Sequence, residues 1–200
     1  MANGNSGKIQ FGVESTYATV PTMEAQVRFS SEGFKYVPNK QEEGLLTGLK
    51  GQGRSYTMGV KAEGALSTNV RPDEAGYWLG LALGSEDTPL LESGASSAYV
   101  HTFTAIGTAL SDHLPSATFT VDRVVDVFQY PGCKIGDFSF SASPGDYLKL
   151  DANFVGKDEE AGTIDGGLSA SSLKPFRFSH GQVLLGGSVV ADITSISFNY

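Results

Sequence analysis

A chain of 200 residues that is 40% hydrophobic and 18% charged has the apolar content to bury a core of its own, which excludes a disordered polymer. The formal net charge of −8 excludes a surface that grips nucleic acid by neutralising phosphates, because such surfaces need clustered Lys and Arg; it does not exclude DNA that merely passes by. The single cysteine, Cys133, has no partner for an internal disulfide and no companion thiols for a tetrahedral metal site.

Residues 1–12 are small and polar and do not read as a secretion signal, and no run reaches the roughly 20 apolar residues of a membrane span. The expectation is a soluble protein made in a cytoplasm. The 25 glycines and 8 prolines fall between alternating runs without a fixed period, which suits many short strands joined by tight turns. With no internal repeat and no heptads, residues 1–200 are expected to form one domain.

In chain order, Val27 and Phe29 alternate with Arg28 and Ser30, a first short strand. Pro38–Tyr56 follows (PNKQEEGLLTGLKGQGRSY), a glycine-punctuated, mixed-charge stretch read as a loop of a length uncommon in compact domains without a function. Val60, Ala62 and Leu66 then alternate with Lys61, Glu63 and Ser67 as a second strand. Pro72–Leu83 changes period: Pro72, Asp73 and Glu74 suit a helix first turn, and Gly84 stands where a C-terminal cap is expected. Ala75, Trp78, Leu79, Ala82 and Leu83 form an apolar stripe, while Tyr77 and Leu81 lie on another face. Such a helix needs cover on two sides, from its own domain or from a neighbouring subunit.

Ala117–Asp122 alternates strictly and reads as a half-buried strand. Phe138, Phe140 and Ala142 form one further strand, and Leu148, Leu150, Ala152 and Phe154 another, flanking Ser143-Pro144-Gly145-Asp146 as a hairpin turn. Gly156–Ser172 is acidic and rich in small residues, and reads as a mobile loop. Phe176 and Phe178 around Arg177 suggest another strand. In Asp192–Tyr200 the apolar parity shifts between Ile193 and the set Ile196, Phe198 and Tyr200, as one bulge residue would cause. The alternation stops in mid-run, so a natural product continuing beyond Tyr200 is expected.

The chemistry that would mark an enzyme does not emerge. His101, His113 and His180 lack metal-ligand spacing, and Ser111-Asp112-His113 are sequence neighbours whose side chains point apart, unlike a triad assembled across a fold. Gly48–Ser55 (GLKGQGRS) lacks the spacing of a phosphate loop and no helix pattern follows it. Asp158, Glu159, Glu160 and Asp165 do not follow calcium-loop spacing. No catalytic, metal-binding or cofactor-binding residue is therefore expected.

Several stretches together resemble the tail tube proteins of long-tailed bacteriophages and related prophages. Gly12-Val13-Glu14-Ser15-Thr16-Tyr17-Ala18-Thr19, followed by Pro21, is similar to the family's opening "GxExxYGT", with Ala18 where glycine is frequent. The stretches Glu43–Leu45 through Gly53-Arg54, Val60–Leu66 and Pro72–Gly84 (ending "LxxALG") follow in the family's order. Leu114–Ser116, Val121–Arg123, Phe128–Lys134 and the hairpin Ser141–Tyr147 complete it, so that the resemblance spans nearly the whole chain.

The resemblance implies a mainly β fold, a two-sheet β-sandwich or half-open barrel with one short helix. It implies copies joined edge to edge into hexameric rings that stack into a hollow tube around a tape-measure protein, capped by terminator and distal tail proteins. DNA leaves through the bore. On this reading the 38–56 loop makes the contact between rings through Glu42, Glu43, Leu45, Leu46, Lys50 and Arg54, and the helix offers Tyr77 and Leu81 to a neighbour. Two other readings stay open: an Hcp-like secretion tube, and a carbohydrate-binding or hydrolytic β-sandwich, for which Trp78 is the only tryptophan.

Overall fold

A computed structural model describes residues 6–42, 55–107, 113–182, 184–189 and 194–199. The strands of the first half are β1 (Lys8–Val13), β2 (Ala25–Val27), β3 (Ser31–Glu32), β4 (Lys35–Glu42) and β5 (Ser55–Asn69), followed by helix α1 (Ala75–Leu83). Short strands β6 (Gly84–Glu86), β7 (Leu90–Leu91), β8 (Tyr99–Val100) and β9 (Phe103–Ala105) lead to β10 (Ala117–Asp122), β11 (Val127–Ala142) and β12 (Lys149–Gly156). The chain closes with β13 (Glu160–Ala161), a 3-10 turn at Phe178–His180, and β14 (Leu184–Leu185), β15 (Ser188–Val189) and β16 (Ile196–Asn199).

Two sheets are joined through β11, whose 16 residues are long enough to belong to both. Its first half pairs antiparallel with β10 and with β13, continuing the order β2-β1-β10-β11. Its second half pairs with β12 and β16, and β12 leads on to β5 with β3 and β4. The register shifts between Ile135 and Asp137, a bulge where one sheet gives way to the other. The two inner faces meet: Phe119 of β10 lies 4.7 Å from Phe154 of β12, centroid to centroid. The fold is mainly β and sandwich-like, with one helix among the described residues.

The alternating pattern puts large rings inside, and they touch in sequence across the core. Trp78 stacks on Phe11 at 5.3 Å, Phe11 on Phe119 at 5.9 Å, and Phe34 reaches Phe119 at 4.9 Å and Tyr130 at 5.2 Å. Trp78 thereby ties the helix to the sheets.

The hairpin at Ser143–Asp146 forms where the sequence places it, with Asp146 N–H donating to the Ser143 carbonyl at 3.0 Å. The helix begins at Ala75, and Pro72–Glu74 form the turn before it.

Four expectations change. The strand Ala117–Asp122 is buried on both faces, with Thr118 and Thr120 fully enclosed, because residues 14–24 and 157–170 cover its polar side. Pro38–Tyr56 is not loop throughout, since its ends extend β4 and β5; residues 43–54 lie outside the described set. Gly156–Ser172 is pinned rather than free. Gln10 both donates to the Asp165 carbonyl and accepts from its N–H at 2.8 Å, as a strand neighbour would; Glu159 accepts from the Tyr130 hydroxyl at 2.8 Å, and Gly162 N–H donates to Val127. Phe176–Phe178 does not make a strand, because Phe178 turns into the 3-10 helix after a single bridge from Arg177 to Tyr147. The bulge expected near Ile193 lies outside the described residues.

Removing the ring that joins both sheets should cost most. Phe119→Ala is expected to lower the free energy of unfolding by about 3–5 kcal/mol, read from chemical denaturation with an unchanged m-value.

Candidate assembly interface

Glu14 is 8% exposed and accepts four hydrogen bonds: from Ser116 Oγ and Thr118 Oγ1 at 2.6 Å, and from the N–H groups of Gly132 and Ala18 at 2.7 Å. Burial alone would raise its pKa, but these donors outweigh it and hold the carboxyl below its ordinary value. The backbone fits around it. Ala18 sits at φ 55 and Gly132 at φ 71, the left-handed region that favours glycine, and a Cβ at Gly12 would come within 2.5 Å of the Thr22 carbonyl. The opening motif and the Phe128–Lys134 stretch therefore meet at one carboxylate.

Glu74, 3% exposed, is the opposite case. Neither carboxylate oxygen has a hydrogen-bond partner, and Arg71 Nη1 stands 4.0 Å away. Desolvation dominates over Arg71 and Arg28, with Asp73 adding to the rise, and pushes the pKa up to about 7.

The β4–β5 arm exposes apolar side chains. Ala62, Leu66 and Thr68 face the core from β5, and Val60 and Met58 continue that two-residue spacing beyond the end of the core. Tyr36 and Pro38 stand opposite Ala62 and Val60 across the ladder. Tyr36 is 42%, Val60 40% and Met58 66% exposed. A register shift between Asn39 and Lys40 leaves Met58 as the extra residue of β5 and sets Lys40 opposite Thr57, its chain neighbour. Glu42 ends β4. Glu43, Leu45, Leu46, Lys50 and Arg54 lie outside the described residues. A second apolar hairpin, β7–β8, exposes Leu90, Leu91, Tyr99 and Val100, and sequence reasoning missed it because those strands are only two residues long.

The helix divides its faces. Leu81 is 2% exposed, buried with Trp78 and Ala82 inside its own chain, and backs the wall of the cleft beside the helix. Tyr77 is half-buried, edge-on to Phe11 at 5.1 Å, and lines a cleft of about 780 Å³ beside the helix.

Among the described residues the histidines and the cysteine stand apart from one another. Cys133 is buried with its thiol pushed up to about 12, by desolvation first and by Glu14 second. His101 pairs with Glu86, His113 is exposed, and His180 lies in the 3-10 turn; Ser111 and Asp112 are outside the described residues. Among the described residues no group of three or more His, Cys, Asp or Glu could hold a metal ion, and no helix is long and apolar enough to cross a membrane.

A family model described as "Phage tail tube protein" matches residues 4–200. The chain belongs to the phage tail tube protein family. No curated protein matches it. As a tail tube protein it is a structural component of a virion tail whose family role is self-assembly into a tube.

The two buried carboxylates should move stability in opposite directions with pH. Glu74, with a folded pKa of about 7 against 4.5 unfolded, favours folding below 4.5, and that contribution is lost as pH rises to about 7, on the order of 3 kcal/mol. Glu74→Gln should abolish that decline in a melting series between pH 4.5 and 8. Glu14, whose folded pKa is depressed, contributes above 4.5 and loses its contribution as pH falls through the folded value. Glu14→Gln sets amide hydrogens against donors and should cost about 1–3 kcal/mol at pH 7.

Proposed function

We propose that residues 1–200 of this tail tube protein form a single domain whose copies close into hexameric rings, and that the rings stack into the conduit of a long-tailed phage. The reading is that the tube surrounds a tape-measure protein, is capped by terminator and distal tail proteins, and forms in the cytoplasm of the host. No catalysis is ascribed to it.

What carries the reading is the arm: a core-facing stripe that runs on past its core, ending in exposed Val60 and Met58. Apolar surface of that kind on a soluble chain marks contact with another protein. Residues 43–54, with Glu43, Leu45, Leu46, Lys50 and Arg54, would extend the arm toward the next ring, with Glu42 at its base. Tyr77 is the contact of the helix face in this reading, and Leu81 backs the same cleft wall. The acidic balance of −8 suits a bore along which phosphate is repelled and DNA slides.

Replacing residues 43–54 by a short turn should leave circular dichroism and melting near wild type while electron microscopy and light scattering show rings or monomers in place of tubes. Normal tubes from that variant would rule out the arm as the contact between rings.

A further inference from the structure

Beside the helix lies a cleft of about 780 Å³ lined by Val13, Leu79, Phe103 and Pro115, with Tyr77 on its wall. That volume falls within the roughly 300–1,000 Å³ of clefts that bury sizeable apolar groups. Its rim is acidic: Asp73 and Glu86 line it, Glu86 being shared with His101.

Gly76 and Gly80, one helical turn apart, open the helix side of this cleft. A Cβ would meet Phe103 at 3.7 Å from Gly76 and at 3.9 Å from Gly80, ordinary contact distances, so the chain's own packing does not require glycine at either position. Both weaken the helix relative to alanine. What the glycines preserve is the space.

Elsewhere on the same chain the arm exposes Met58 and Val60, with the exposed Lys40 across the ladder from Thr57, the residue before Met58. Apolar stripe meets apolar cleft, and a lysine meets an acidic rim. The two surfaces are different, and different complementary surfaces on identical chains join head to tail into rings or filaments.

We propose that the cleft beside α1 receives the Met58–Val60 face of the arm of a second copy of this chain, with Lys40 directed to the Asp73 rim. This rests on the tube-forming reading, and it names the surface on which the arm lands.

Gly80→Leu tests the cleft, since leucine is a better helix former than glycine and its side chain fills the space. The expected result is a melting temperature at or above wild type with the concentration threshold for assembly raised roughly tenfold to hundredfold. Met58→Asp should raise the threshold similarly. Mixing differently tagged copies, one carrying Met58→Cys and the other Leu79→Cys, should yield a disulfide-linked pair of unlike tags under mild oxidation; Cys133, buried and with its thiol pushed up to about 12, stays silent.

Tubes at the wild-type threshold from both Gly80→Leu and Met58→Asp, or tubes from the mixture without the disulfide, would overturn the pairing while leaving tube formation intact. If Gly80→Leu instead spares the tubes and abolishes binding of another tail protein, the cleft serves that partner and the pairing falls. A wild-type chain that stays monomeric at every concentration would remove the tube-forming reading itself.

Discussion

The carboxylate of Glu14 is the constraint on which the frame of this protein turns. It sits at the end of β1, accepts from Ser116 and Thr118 at the start of β10, and reaches Gly132 in the middle of β11. Three consecutive strands of the first sheet are thus fixed by one group, close to where β11 passes into the second sheet. A buried charge is tolerated only when its lone pairs are met, and here four donors meet them. Ala18, the fourth, folds the following loop back over the polar face of β10 at a left-handed backbone angle. Charge, turn and strand geometry depend on one another.

Beneath that node, β10 separates two kinds of interior. One face is aromatic, with Phe119 between the sheets; the other is polar, with Thr118 to Glu14, Thr120 to Gln129 and Met23, and Gln10 beside it gripping Asp165. The polar layer does what an apolar one cannot. Hydrogen bonds have direction, so they fix where the 14–24 and 157–170 segments run, whereas apolar contact alone would let them slide. At the rim, Arg123 makes a bidentate pair with Glu32 at 2.9 and 3.0 Å and lies 5.4 Å over the Phe128 ring, tying β3 to the β10–β11 turn.

A rigid frame gives exposed surfaces a constant position, which repeated assembly requires. Identical subunits accumulate any error in angle from one to the next, so contacts must be held by parts that do not deform. The arm leaves the frame through β5, which pairs with β12 along its inner half and carries its apolar stripe outward along the same strand. Core and exposed arm are thereby one continuous element.

How much of this was legible in the sequence follows from the range of each interaction. Period-two alternation, the Ser143–Asp146 turn and the Pro72–Gly84 helix are local patterns, written within a dozen residues, and they determined a mainly β chain with one helix; ordered motifs along the chain determined the family. What only the tertiary structure decided involves partners far apart in sequence. The second face of Ala117–Asp122 looked solvated because Thr118 and Thr120 are polar, yet Glu14 lies 104 residues from Thr118 and no spacing rule links them. The acidic stretch after Gly156 looked free because its anchors, Gln10 and Tyr130, are 155 and 29 residues away. Leu81 and Tyr77 read alike as apolar helix positions, and only packing against the rest of the chain buried the first and left the second half-exposed on the same cleft wall. Local backbone preference and periodicity act over a few residues and can be read in order, whereas burial depends on what the rest of the chain brings to the other side.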